Sequence, residues 1–233
     1  MKRRYKTVEI VESGSGYGIS LDGKPMRTPA GNRFEVRQRP LAEAIAEEWR
    51  AQQDKVDPHT MPMTRFVATA LDRIAVERDR IARDLAAFAE TDLLCHRADR
   101  PEELIERQRQ GWQPLLDWAV EALGARFEIA TGVMPLNQPE ATLAAIRARI
   151  DDLDDLELAG VQTLAGGTGS IVLAFAVFLG RIGWEEAHRL SRLDEDHQIE
   201  RWGEDPEAAE RRIAVHADLG DAARLLSLVR VRH

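Results

Sequence analysis

Nine consecutive apolar residues, Ile171 to Leu179 (IVLAFAVFL), set the strongest constraint on how this chain can fold. A helix with no polar face has to be surrounded by other apolar surface, and this run is far shorter than the roughly 18 residues that suggest a membrane span. It is therefore expected to be a helix buried within a bundle. The flanking sequence supplies the rest of that bundle, because helical periodicity runs almost unbroken from Thr64. Val67, Leu71, Ile74, Ile81, Leu85 and Phe88 recur at heptad-like spacing. Arg78 stands where an apolar residue is expected, and either lays its stem along the seam or marks a break. Pro101, Glu102 and Glu103 open another helix that Gly124 can end, with Trp112, Leu115, Ala119 and Leu123 as its buried stripe. Pro114 should kink it, since proline cannot donate the interior hydrogen bond. After an irregular stretch from Gly132 to Asn137, Pro139 starts a helix with Leu143, Ile146 and Ile150 inward. A short helix to about Ala165 and a final helix or helical pair over Pro206 to Val231 complete the pattern.

The first 38 residues read differently. Tyr5 to Val11 and Tyr17 to Leu21 carry β-branched and aromatic residues, separated by ESGSG. Asp22-Gly23 is a tight-turn signal, and a further short strand follows near Phe34. A small twisted antiparallel sheet is expected. Pro40 then opens a helix at its first turn. Leu41, Ile45 and Trp49 form its inward stripe, with Glu43, Glu47 and Glu48 away from it. Asp54 to Pro62 is polar and proline-punctuated, a hinge signal. The fold class is thus α+β: a small N-terminal antiparallel sheet domain with a covering helix (residues 1–58), followed by a larger all-helical domain (59–233). Trp49, Trp112 and Trp118 are expected to pack in cores.

Composition narrows the function classes. Apolar residues make up 44% and charged residues 31% of the chain, as in a soluble globular protein. The net charge of −8 gives no basic balance to favour nucleic acid or an anionic membrane surface. Cys95 is the single cysteine, so no intramolecular disulfide can form and a reducing compartment is expected. No apolar segment follows the basic Met1–Arg4, so no secretory or transit signal is read.

The usual signatures of chemistry are weak. Gly166-Gly167-Thr168-Gly169-Ser170 lacks the lysine and the spacing of a phosphate loop and no strand is read before it, so it is better explained as a tight turn between helices. The histidines at 59, 96, 188, 197, 216 and 233 form no zinc pattern, although Asp194 and His197 can share a helix face. Asp151, Asp152, Asp154 and Asp155 lack the calcium-loop spacing. Cys95 and His96 diverge by about 100° on a helix and make a poor nucleophile and base, so a buried thiol is expected. No catalytic residue, metal ligand or cofactor is assigned.

Gly183 to Asp205 is the densest concentration of charge and indole in the chain. Drawn as one helix, it gathers Ala187, Leu190 and Leu193 on one flank and Trp184, Glu195, Ile199 and Trp202 on the next. Glu195 among indoles needs either an internal cation such as Arg192 or a partner molecule.

Several stretches, taken in order, resemble a known family. They are Leu21-Asp22-Gly23-Lys24-Pro25 with Thr28-Pro29, Glu48-Trp49 with Gln52, Met61-Pro62-Met63-Thr64-Arg65 and Asp92-Leu93-Leu94-Cys95. Trp112 with Pro114, Gln138-Pro139, Thr168-Gly169-Ser170 and Leu193-Asp194-Glu195 with Gln198, Trp202 and Gly203 continue the series. The set is similar to the ATP synthase assembly chaperones of the Atp-twelve type, which handle the alpha subunit of the soluble catalytic head; His96 departs from the tyrosine expected there. The resemblance implies a non-enzymatic chaperone without cofactor that binds the free alpha subunit of an F-type ATP synthase and prevents its self-association. A bacterial cytoplasm fits that family, and a monomer with no membrane insertion and no nucleic-acid partner is expected. Glu195 and Trp202, with Asp194, Gln198 and Ile199, are the client-binding candidates. The readings from other classes are a small-molecule enzyme with an acidic interdomain cleft and a passive subunit of a permanent complex.

Overall fold

The computed structural model describes residues 2–14, 16–132, 134–203 and 205–230; Val231 and His233 lie outside the described residues. Strands β1 (Val8–Ser13) and β2 (Gly16–Leu21) pair antiparallel, with Ile10 opposite Ile19. The other edge of β2 is shared by β3 (Lys24–Pro25) and β4 (Glu35–Val36). Asp22 and Gly23 join β2 to β3 with φ of 50° and 76°, the left-handed pair that matches the twist of a two-residue hairpin. The Asp22 carboxylate accepts the N–H groups of Lys6 and Thr7 at 2.9 and 2.8 Å, and these bonds hold its pKa below the usual carboxylate range.

Helix α1 (Arg39–Ala51) covers this sheet, and Leu41 and Ile45 are fully buried, as the stripe predicts. The stripe misplaces one residue. Glu48, read on the outer side, is 8% exposed, whereas Trp49 is only half-buried. Glu48 turns inward because helix α2 (Pro62–Thr69) brings unpaired N–H groups to it. Oε1 accepts Met63 N–H at 2.7 Å, and Oε2 accepts Thr64 N–H at 2.9 Å and the Thr64 hydroxyl at 2.7 Å. A carboxylate satisfying the first turn of a helix is favoured by both the orphan donors and the helix dipole. Burial still dominates its titration and raises its pKa.

A π-helical turn, Ala70–Ile74, links α2 to α3 (Ala75–Ala86). Val67, Ile74, Ile81 and Leu85 are buried as their spacing predicts. Of the two alternatives at Arg78, a break is present one residue earlier, at Glu77, whose φ and ψ are −110° and 20°, and Arg78 pairs with Asp155 at 2.5 Å. Two compact units are distinguished by packing. One comprises Met1–Arg78, Asp154–Gly160 and Arg224–His233; the other comprises Asp79–Leu153 and Val161–Ala223. Helix α2 thus packs with the sheet unit, beyond the 58/59 boundary read from the sequence.

In the second unit, β5 (His96–Arg97) and β6 (Ala130–Thr131) form a short parallel pair. Helix α4 (Glu102–Leu123) continues through Pro114 and ends at Gly124, whose φ is 72°. Trp112, Leu115, Ala119 and Leu123 are buried. Helices α5 (Glu140–Asp151) and α6 (Asp155–Thr168) follow, then the apolar run as α7 (Ile171–Phe178), with every residue from Ile171 to Phe175 at most 2% exposed. Gly166 and Gly167 belong to the last turn of α6, not to a turn, and Gly169, at φ 68°, makes the reversal alone. The stretch from Gly183 forms two helices, α8 (Trp184–Ser191) and α9 (Leu193–Trp202), where one was expected. Helix α10 (Pro206–Val229) closes the chain. No helix among the described residues is long and apolar enough to cross a membrane.

Candidate functional site

The break between α8 and α9 lies at Arg192, with φ −112° and ψ 8°. Its side chain is 13% exposed, and its guanidinium is shared between Glu195 and Asp196, the latter at 3.0 Å. Asp194, Glu195 and Asp196 occupy the first turn of α9, where negative charge complements the helix dipole. The bend separates what one straight helix would have joined. Trp184 stacks edge-on against His216 at 4.7 Å and does not share the flank of Glu195 and Trp202.

Helix α4 holds this pair of helices in place. The Trp112 indole N–H donates to the Leu190 carbonyl at 2.8 Å, Gln108 Nε2 donates to Asp194 Oδ1 at 2.5 Å, and Arg107 pairs with Glu200 at 3.0 Å. Leu193 and His197 face inward. Glu195, Gln198, Ile199 and Trp202, at i, i+3, i+4 and i+7, line a groove of about 790 Å³. Its opposite wall is α10, through Ala208, Arg212 and Val215, and Gly167 to Gly169 also line it. Trp202 is 77% exposed. An indole left in water at the mouth of a groove is surface that binding would bury.

Four of the five client-binding candidates therefore share the groove, and the fifth does not. Asp194 is half-buried on the other side of α9, held by Gln108, and burial raises its pKa. Glu195 pairs with Arg192, one of the two alternatives, but its side chain is 66% exposed, so burial among indoles does not force that pairing. The α10 wall was missed, because nothing in the sequence says which face of α9 the following helix returns to. At the end of the groove His188 packs edge-on to His216 at 5.1 Å, and burial, followed by the charges of His216 and Arg192, lowers its pKa.

Cys95 is fully buried, and desolvation pushes its thiol up to about 12. Among the described residues no group of three or more histidine, cysteine, aspartate or glutamate side chains is placed to hold a metal.

The sequence pattern of the ATP12 chaperone protein family matches residues 2–120. The mitochondrial protein atp12 of Schizosaccharomyces pombe is 28% identical over 197 residues, covering 79% of this chain and 68% of its own. Atp12 from Paracoccus denitrificans has the same fold, with a TM-score of 0.95 and 40% identity over 98% of each chain. A protein of Agrobacterium tumefaciens described as a candidate chaperone gives a TM-score of 0.92 and 43% identity, over 98% of this chain and 86% of its own. The family pattern, together with likeness to these relatives over most of the chain, marks an assembly chaperone. The chain belongs to the ATP12 chaperone protein family.

Proposed function

We propose that this ATP synthase assembly chaperone holds the free alpha subunit of the F-type catalytic head at the α9–α10 groove, and so prevents its self-association before assembly. The observation that carries the reading is Trp202, 77% exposed beside Ile199 at the groove. A subunit made for a ring carries apolar surface that aggregates when uncovered. Covering it specifically takes on the order of 800 Å² per partner, so the groove is the centre of a wider contact. Arginines and carboxylates along its walls suit a complex that must release when the true neighbour arrives, since charged contacts tune selectivity and lifetime. Glu195 and Gln198 supply polar contacts in this reading, and Trp202 and Ile199 apolar ones.

The test is capture of free alpha subunit by the tagged chain and by its Glu195→Lys and Trp202→Ala variants. Capture by wild type, lost in both variants while their circular dichroism is unchanged, is the expected result. Equal capture by all three would move the contact elsewhere. Failure of the wild type to capture alpha subunit would remove the function itself.

A further inference from the structure

On the other side of α9 from the groove lies a recess of about 420 Å³ between that helix and the segment leading into α4. Pro101, Leu104 and Trp202 give it apolar walls, and Arg100 and Arg201 also line it. His197 also lines it; that residue is 5% exposed, and neither of its ring nitrogens has a hydrogen-bond partner among the described residues. Buried polar groups are ordinarily satisfied, so an orphaned imidazole in the wall of a cavity marks a place where a partner is missing. Arg201 makes no ion pair or hydrogen bond among the described residues, and Arg100 reaches only Asp99, at 3.9 Å. Among the described residues Asp194 is the one carboxylate in the lining, and Gln108 already engages it at 2.5 Å.

We propose that this recess binds the carboxylate of a glutamate or aspartate side chain in an extended segment of a partner polypeptide. The carboxylate would accept the His197 N–H and pair with Arg201, while Arg100 contributes charge from the rim. Charge-assisted bonds from guanidinium to carboxylate are the strong members of their class. The apolar walls fit the residues beside the acidic one. Trp202 lines both the recess and the α9–α10 groove, so one segment can pass across the indole from one to the other. The proposal rests on the functional reading only in taking α9 as a face presented to a polypeptide.

The test uses the full chain and a blocked pentapeptide, acetyl-Ala-Leu-Glu-Leu-Ala-amide, followed through the ring ¹⁵N resonances of His197. The glutamate peptide should shift these resonances saturably, and the same peptide with glutamine should not. Arg201→Gln should weaken the interaction at least tenfold while leaving the fold unchanged. The proposal is overturned by an unmoved His197, by equal binding to Arg201→Gln, or by an equal response to sodium acetate at the same concentration, which would mark a free-anion site. Failure of the functional reading is separable, because Glu195→Lys lies in the groove and not in the recess. If that variant still captures alpha subunit while Arg201→Gln loses the peptide, the recess stands and the groove assignment falls.

Discussion

The hydroxyl of Ser170 donates to the carboxylate of Asp92, 78 residues away in sequence, 2.8 Å from Oδ1 and 3.0 Å from Oδ2. The same carboxylate accepts the N–H groups of Leu94 at 3.0 Å and Val172 at 3.1 Å, while Ser170 Oγ caps α7 by accepting Leu173 N–H at 3.0 Å. Asp92 is fully buried, and desolvation outweighs these bonds and raises its pKa from 3.8 to about 6.

The sign of its effect on stability follows. Between pH 3.8 and about 6 the folded carboxyl keeps a proton that the unfolded one has lost. Stability from this group is therefore highest at low pH and falls as pH rises through that window, by about 3 kcal/mol for a shift of this size. Asp92→Asn mimics the protonated form and lacks the effect. The stability advantage of wild type over Asp92→Asn should shrink from pH 4 to pH 6 in urea titrations, and a carboxyl ¹³C titration should place the midpoint of Asp92 near 6.

Glu48 should behave as a structural cap. Glu48→Ala leaves the Met63 and Thr64 N–H groups without their acceptor in a buried setting, which should cost about 2–3 kcal/mol. Glu48→Gln keeps one acceptor and should cost about half of that. Chemical denaturation of both variants checks the order, and an equal cost would show that charge, not acceptance, matters.

Two glycines of α6 should respond to alanine with opposite signs. A Cβ on Gly160 would lie 2.7 Å from both Cγ and Cδ2 of Leu226, a residue 3% exposed, whereas one on Gly166 meets nothing within 4 Å. Gly160→Ala should destabilise by about 1–3 kcal/mol from overpacking. Gly166→Ala should stabilise by about 0.5–1 kcal/mol from helix propensity. Thermal melts of the two variants decide the matter.

Stability and client capture should separate by tryptophan. The ring of Trp49 lies 5.5 Å from that of Tyr5, whose hydroxyl donates to the Trp49 carbonyl at 2.6 Å. Trp49→Ala should cost about 3 kcal/mol, at the lower end for a large core truncation because the side chain is half-buried. Trp202→Ala should change stability by less than about 0.5 kcal/mol, as surface substitutions do. Measuring melting and alpha-subunit capture for both variants tests the division; loss of capture with an unchanged melt in Trp49→Ala would make Trp49 an interface residue.

Much of the architecture is legible from local pattern. The Asp22-Gly23 turn, the prolines opening α1 and α2, the Trp112 stripe and the apolar α7 each follow from backbone sterics or from helical period acting over a few residues. Glu48 escapes such reading, because its burial depends on donors 15 and 16 residues further on. The bend at Arg192 escapes it too, since no glycine or proline marks the place. Four candidates meeting at one groove could be read from i, i+3, i+4 and i+7 spacing, whereas Asp194 turning to Gln108 could not.

The sequence by itself determined the helical and strand periods, the places where helices begin, and the ordered motifs that mark the family, because each depends on neighbours along the chain. Tertiary structure alone decided that Asp92 meets Ser170, that α10 walls the groove beside Trp202, and that His197 is buried without a hydrogen-bond partner among the described residues. Those facts depend on which elements meet across long loops, and burial and hydrogen-bond satisfaction are properties of that meeting rather than of any local run of residues.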